Sequence, residues 1–370
     1  MEKIKVLHII KSLGRGGAEM LLPETLKQHN QEQFEFHYIY FLPWKNQLVE
    51  AIESAGGKVS CFSAKNNIQL MLHFLNIIKY CKQHQIQLIH AHLPWAGFLS
   101  RLVYKITKIP VIYTEHNLQE RYHFITKYIN KWTFNYQTLA IGVSNDVTQS
   151  IQKNIHPKIG CKTVLNGVNT KSFARLNVEE RMTIRKQFGI PENAIVVGTT
   201  AVFRFQKRLD KWMEIMHAAI DKNPNVYGIV IGAGVLEDEI KAKHKELNLE
   251  SKVFFAGLQS NVKPYYEAMD IFMMCSSFEG LPIALLEAMS MNCAIVSTNA
   301  GGIKEVIRNE IDGLTVDVDD WKELSVSIVE LAENPVKMAH LQSKARSRVE
   351  TSFSLGVMVQ ELEEVYRSTI

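Results

Sequence analysis

Cysteine is scarce and follows no pattern. The chain holds five, Cys61, Cys81, Cys161, Cys275 and Cys293, scattered, odd in number and without a Cys-x-x-Cys pair. A disulfide framework or a zinc-thiolate site needs paired spacing, so neither finds support, and a reducing cytoplasm is the expected compartment. Long apolar runs are also missing. No segment offers the roughly 18 uninterrupted apolar residues of a membrane span. The opening run Val6–Ile10 is short and reads as a strand rather than the core of a signal peptide. Low-complexity tracts, short repeats and proline-rich linkers are absent. So is a G-x-G-x-x-G fingerprint. The turn after the first strand reads Gly14-Arg15-Gly16-Gly17-Ala18-Glu19, and Ala18 and Glu19 break that spacing. This disfavours a dinucleotide-dependent oxidoreductase. No nucleic-acid recognition motif accompanies the positive charge, so nucleic acid is not an expected partner.

What is present is a globular composition, 46% hydrophobic and 22% charged, in a chain of 370 residues, long enough for two cores. Charge is uneven. Residues 1–165 carry 19 Lys and Arg against 10 Asp and Glu, and the remainder 23 against 28. The basic front half suits anionic lipid head groups or an acidic acceptor, and equally suits solvated lysines with no partner. Short apolar runs alternate with amphipathic stretches: Val6–Ile10, Phe36–Phe41, Leu88–Ala91, Val111–Thr114 and Thr138–Val143, then Ala194–Thr200, Tyr227–Ile231, Val253–Ala256, Ile271–Met274 and Ala294–Ser297. Strands buried on both faces read this way, and their alternation with helices such as Leu70–His84 predicts parallel α/β sheets. The pattern occurs twice, with a polar stretch near Asn166–Lys186. Two doubly wound domains are expected, over residues 1–170 and 171–354, joined near 168–180. Apolar Val357, Val359, Leu362 and Val365 predict a final amphipathic helix over about 355–370.

Three groups of residues carry chemistry. Gly16 and Gly17 precede a helix whose free N–H groups would face an anion, although spacing alone fits a tight strand–helix turn as well. His90, His92 and His116 fall at strand carboxyl ends, where ligands of open α/β sheets gather. A metal held by these histidines is disfavoured, because no carboxylate or cysteine stands at useful spacing. Hydrogen bonding to a hydroxyl suits them better, with His90 expected to alternate away from His92 and to be structural. The third group is Ser276-Ser277-Phe278-Glu279-Gly280-Leu281-Pro282-Ile283-Ala284-Leu285-Leu286-Glu287. Pro282 suits a helix's first turn, which places Glu287 about two turns inside, where an acid needs a partner. Two acids at this spacing read as two grips on one elongated ligand.

That stretch resembles the E-x7-E signature of the family 4 retaining glycosyltransferases, which have the GT-B fold. Weaker pieces follow the family's order over nearly the whole chain: Gly16–Glu19, Thr114–His116, Val143-Ser144, Asn166–Val168, Gly232–Gly234, Val253–Gly257, Ala300–Val306 and Asp312–Leu314. The resemblance implies two Rossmann-like domains facing across a cleft, the first binding acceptor and the second a nucleotide-sugar donor, with the final helix packing back on the first. It implies that Glu287 accepts from the ribose hydroxyls, that Glu279 and the backbone N–H groups of Gly280 and Leu281 meet the sugar and phosphates, and that Gly16 and Gly17 close on the diphosphate. His116 would contact the transferred sugar. Members use an Arg and a Lys five residues apart to neutralise the leaving diphosphate without a metal. Lys207 fits the lysine, but Val202 stands where the arginine belongs, so Arg204, or Arg208, would supply that charge. Asn169 also stands where an Asp often follows Asn-Gly-Val.

The implied chemistry is departure of the nucleoside diphosphate, an oxocarbenium-like sugar, and attack by the acceptor hydroxyl from the same face. Its proton passes to the diphosphate, so Glu279 is not a nucleophile. Domain closure about 166–180 would gate the step. No cofactor beyond the donor is expected, and uridine is the expected base. The acceptor side is nearly silent. Trp44 and Trp95 suit stacking on sugars or a core, and Trp132 is expected in the core. The family points to a glycan or lipid-linked acceptor in cell-surface polysaccharide or glycolipid synthesis, with a cytoplasmic enzyme touching the inner membrane face. Rival readings are a sugar-nucleotide epimerase on the same scaffold and a catalytically silent sugar-nucleotide-binding protein.

Overall fold

Short runs of Val, Ile and Phe, too apolar to face water on either side, become the buried strands of two parallel sheets. The computed structural model describes residues 2–370. The first sheet holds β1 (Ile4–Ile9), β2 (Phe34–Tyr40), β3 (Lys58–Cys61), β4 (Leu88–His92), β5 (Val111–Glu115), β6 (Leu139–Gly142) and β7 (Gly160–Thr163). Their order is β3-β2-β1-β4-β5-β6-β7. Val6 lies opposite Phe36 on one side and Leu88 on the other, which fixes the register at the centre. The second sheet holds β8 (Ile195–Thr200), β9 (Val226–Ile231), β10 (Val253–Gly257), β11 (Ile271–Met274), β12 (Ala294–Thr298) and β13 (Leu314–Val316), in the order β10-β9-β8-β11-β12-β13. All ten apolar runs read from the sequence are strands. The strand order reverses at β1/β4 in the first sheet and at β8/β11 in the second. Crevices at the carboxyl ends of such switch points are where open α/β sheets bind ligands.

The chain divides into two compact units, one running to Gly167 and including Leu355–Ile370, the other spanning Val168–Ser354. Each has its own core. Leu22, Phe34, Phe36, Tyr38 and Ile112 fill the first, and Trp212, Met216, Ile271 and Ile328 the second. Full burial of one such side chain is worth roughly 1.5–3 kcal/mol.

The final helix, Leu355–Thr369, belongs to the first unit. It buries Leu355, Val359, Leu362, Val365 and Tyr366 and leaves Val357 at the surface, so the apolar stripe begins at Leu355. Glu363 accepts from the Asn30 backbone N–H at 2.8 Å and pairs with His29 at 3.1 Å. The Tyr366 hydroxyl is hydrogen-bonded to His90 Nδ1 at 2.8 Å. The helix expected over Leu70–His84 is two, Asn67–Leu72 and Phe74–His84, divided at His73.

Tyr366 is the tie between this helix and the sheet. Tyr366→Phe, which loses only the hydrogen bond to His90, should cost about 1 kcal/mol in urea unfolding. Tyr366→Ala should cost roughly 3–5 kcal/mol through the cavity it leaves.

Candidate active site

The second unit builds its site from two loops at the β8/β11 switch. After β8 the chain makes a short turn, Phe205–Lys207, and Arg208 takes a left-handed backbone with φ 47°. The buried Cys275 thiol donates to the Arg208 carbonyl at 3.2 Å. Arg208 in turn donates to the carbonyls of Cys275 at 2.7 Å and Val318 at 2.9 Å. The guanidinium is therefore committed to backbone and holds the loop in place. Held this way, Lys207 donates from Nζ to Glu279 Oε1 at 2.6 Å. Ser276 donates to the same oxygen at 2.6 Å. Gly301, at φ +57°, passes so close to the Glu279 carbonyl that any side chain there would collide with it.

Glu287 has different partners. Pro282 caps the helix Ile283–Ser290 rather than opening it, so Glu287 is the fifth helical residue, one turn in rather than two. Its Oε2 accepts from the Tyr266 hydroxyl at 2.9 Å. Burial pushes its pKa up to about 7, against the opposing pull of that hydrogen bond. Gly280 and Leu281 lie in the turn between β11 and this helix. The structure thus joins Lys207 to Glu279 directly, and sets Glu287 on Tyr266 without a shared contact. Arg204 is exposed, and its side chain forms no hydrogen bond or ion pair among the described residues.

In the first unit Gly16 caps the helix Gly17–Gln28 with an extended backbone. His8, at the end of β1, and His90 and His92 of β4 are buried together at the β1/β4 switch. The expected divergence of His90 and His92 is wrong. Their rings lie 4.2 Å apart, because residues two apart in a strand share a face. His8 Nδ1 meets His92 Nε2 at 3.0 Å, and His92 Nδ1 meets His116 Nε2 at 3.5 Å. Desolvation lowers all four pKa values, to about 3 for His90 and about 4 for His116, with neighbouring imidazoles adding to the shift at His8, His90 and His92. Ring nitrogens of His8, His90 and His92 lie within 4.8 Å of one another. Both nitrogens of His90, however, are taken by Tyr366 and by Thr114 at 2.7 Å, so a metal would have to break existing bonds without a carboxylate or thiol in the set.

Glu115 anchors the turn that carries His116. It is fully buried and accepts from the hydroxyls of Tyr113 at 2.8 Å and Tyr122 at 2.5 Å, from Gln119, and from the backbone N–H groups of His116 and Asn117. Trp132 is not in the core. It is 75% exposed on the helix Phe124–Thr133, whose inner face is taken by the buried Asn130. Sequence reading missed His8, Ser276 and Tyr266. His8 stood inside a run read only as strand, Ser276 lay three residues before Glu279, and Tyr266, 21 residues from Glu287, left no spacing signal.

This geometry can be set beside known proteins. The pattern of the glycosyl transferases group 1 matches residues 180–348, and that of glycosyltransferase family 4 matches residues 15–172. An Escherichia coli protein, the UDP-Gal:alpha-D-GlcNAc-diphosphoundecaprenol alpha-1,3-galactosyltransferase, is 21% identical over 98% of this chain and 97% of its own. The Staphylococcus aureus capsular polysaccharide biosynthesis glycosyltransferase CapH is 27% identical over 99% of both. The solved structure of Anabaena Alr3699/HepE in complex with UDP and glucose shares the fold, with a TM-score of 0.87 at 21% identity, over 99% of this chain and 100% of that one. The chain belongs to the family 4, group 1 glycosyltransferases of GT-B fold. It is a retaining nucleotide-sugar glycosyltransferase, and members typically work without a metal.

Glu287 has a testable signature. Its carboxyl is protonated in folded and unfolded chains below about pH 4.5, and its contribution to stability is then lost as pH rises to about 7, where the folded form ionises. Glu287→Gln should remove that decline, so the variant gains stability relative to the parent above pH 7. Unfolding midpoints measured from pH 5 to 8.5 check this, and parallel curves would refute the assigned shift.

Proposed function

We propose that this enzyme transfers a sugar from a UDP-sugar to a lipid-linked glycan, as a step in cell-surface polysaccharide or glycolipid synthesis. The observation carrying this is the Lys207–Glu279 pair set beside the Gly280 and Leu281 turn at a switch point. One amine N–H is held by Glu279, and two remain for diphosphate oxygens. The amides of Gly280 and Leu281 add donors, and Glu287 accepts from the ribose hydroxyls. Arg204 adds positive charge near the diphosphate. These groups do the neutralising for which other enzymes use a metal, so none is required. The second unit is the donor-binding domain and the first the acceptor-binding domain, with Gly16 and Gly17 serving the diphosphate and His116 a hydroxyl of the transferred sugar. The bond from the sugar's anomeric carbon to the diphosphate oxygen breaks, one to the acceptor oxygen forms on the same face, and the acceptor proton leaves with the diphosphate. The UDP in the Anabaena structure and the diphosphoundecaprenol in the E. coli relative's name support this choice of donor and acceptor.

The enzyme works at the cytoplasmic membrane face, bound peripherally. No described helix is long and apolar enough to cross a membrane. The helix Phe124–Thr133 instead turns Phe124, Tyr128 and Trp132 outward, one turn apart, flanked by Lys127 and Lys131. Between Phe62 and Gln137 nine Lys and Arg stand against two acids, Glu115 and Glu120; Arg101 and Glu115 are buried, which leaves eight cations against one acid. Aromatic rings beside lysines suit the boundary of an anionic bilayer.

Mixing the protein with UDP-sugars and a diphosphoundecaprenol-linked sugar should yield an extended lipid. Lys207→Ala should lower that rate by roughly 10²–10³-fold. A cognate UDP-sugar at a hundred times its Kd should raise stability by roughly 2.7 kcal/mol, and no shift with any UDP-sugar would sink the donor assignment. In a second experiment, replacing both Tyr128 and Trp132 by Ser should weaken sedimentation with phosphatidylglycerol vesicles roughly tenfold while leaving the fold intact.

A further inference from the structure

His8, His92 and His116 form a row of imidazoles in which the middle ring touches both neighbours. Burial keeps all three neutral near pH 7, so each carries one ring proton. A single proton on His92 leaves two arrangements. If His92 carries it on Nε2, it donates to His8 Nδ1 and accepts from His116 Nε2–H, and His8 is left with an N–H at Nε2. If His92 carries it on Nδ1, it donates to His116 Nε2 and accepts from His8 Nδ1–H. His8 Nε2 is then a bare lone pair, and His116 carries its proton on Nδ1.

The inner end of the row separates the two. His8 Nε2 is buried and has no hydrogen-bond partner among the described residues. Its ring stacks on Tyr38 at 4.9 Å and lies 5.7 Å from Phe36. A stranded N–H is rarer and costlier than a stranded lone pair. His90 cannot redirect the row, because Thr114 and Tyr366 occupy both its nitrogens. The backbone holds the middle ring in place: Leu93, directly after His92, is left-handed at φ 67°, a conformation a leucine keeps only when its surroundings impose it.

We propose that the row runs outward, and that His8 and His92 are positioning residues holding His116 as its Nδ1–H tautomer, the less common form of histidine in water. His116 then offers a fixed donor to a ligand oxygen. That this oxygen is a hydroxyl of the donor sugar rests on the function proposed above, whereas the direction of the row does not.

The test is long-range proton–nitrogen NMR on the full chain labelled with 15N-histidine, with signals assigned through His116→Gln and His92→Phe. At pH 7.5 His116 is expected protonated on Nδ1 and bare on Nε2. In His92→Phe, which frees Nε2, it should revert toward the Nε2–H form. If that variant does not fold, His8→Phe serves, since His92 loses its inner constraint and His116 should populate both forms. A native His116 protonated on Nε2, or a tautomer unchanged in a folded variant, overturns the proposal. With UDP-glucose as the probe, His92→Phe should lower turnover about 10- to 100-fold while calorimetry finds UDP affinity within about twofold of the parent. Absence of turnover in the native chain would count against the donor assignment alone, because the tautomer is read without any donor.

Discussion

A lysine amine 2.6 Å from a carboxylate that is itself almost out of water is the contact on which the chemistry proposed for the second unit depends. Desolvated charges are costly to keep, and they persist only when geometry and additional hydrogen bonds compensate. Here Ser276 supplies the additional bond. The Cys275–Arg208 exchange of backbone contacts fixes the loop that carries the lysine. In the role proposed above, an approaching diphosphate would meet a cation already in place and oriented, with little reorganisation left for the moment of bond breaking. Arg208, which on sequence grounds might have shared the charge, instead fixes the position of Lys207. With Val202 in the place of the family's arginine and Arg208 bonded to backbone, Arg204, whose side chain forms no hydrogen bond or ion pair among the described residues, is the cation proposed to take that role.

Glu287 illustrates the opposite arrangement. Among the described residues it has a hydroxyl but no cation beside it, and its pKa rises to about 7. A carboxylate in this position gains from a ligand that brings donors, and a pair of ribose hydroxyls brings two. In the ribose-binding role proposed above, the ionised form would accept them, so donor binding and deprotonation of Glu287 would favour each other. The two acids of the signature differ in their surroundings: one is paired with a lysine and a serine, the other with a tyrosine hydroxyl alone, which suits the ligand-completed role proposed above.

Legibility in the sequence followed burial. Every strand at the centre of a sheet was readable, because burial on both faces leaves an unbroken apolar run. The strands missed, β3, β7 and β13, are edge strands of three or four residues, Lys58–Cys61, Gly160–Thr163 and Leu314–Val316, whose partial exposure removes that signal. The site showed the same division. Glu279, Glu287 and Lys207 stand in motifs and were legible, whereas the partners that fix them, Tyr266, Ser276 and Cys275, come together only through the sheet. The error at His90 and His92 was one of periodicity, since two residues apart on a strand means one face. Trp132 was misplaced because aromatic residues are most often buried, and only tertiary structure could reveal that its helix has a polar inner face.

That helix has an inverted logic. Arg101, buried and ringed by Tyr113 and Phe134, donates to Asn130, Thr133 and Gln137, and Asn130 donates to Gln119, which in turn donates to Glu115. The network fills the space beneath Phe124–Thr133 with hydrogen bonds, while Phe124, Tyr128 and Trp132 stay at the surface. An ordinary surface helix gains its stability from the reverse arrangement. Here the anchoring is polar and the aromatic side remains outward beside lysines, an arrangement consistent with the membrane-facing role proposed above. The same network ends on Glu115, which holds the turn bearing His116. One buried set of polar side chains therefore supports both the exposed aromatic face of this helix and the turn that bears His116.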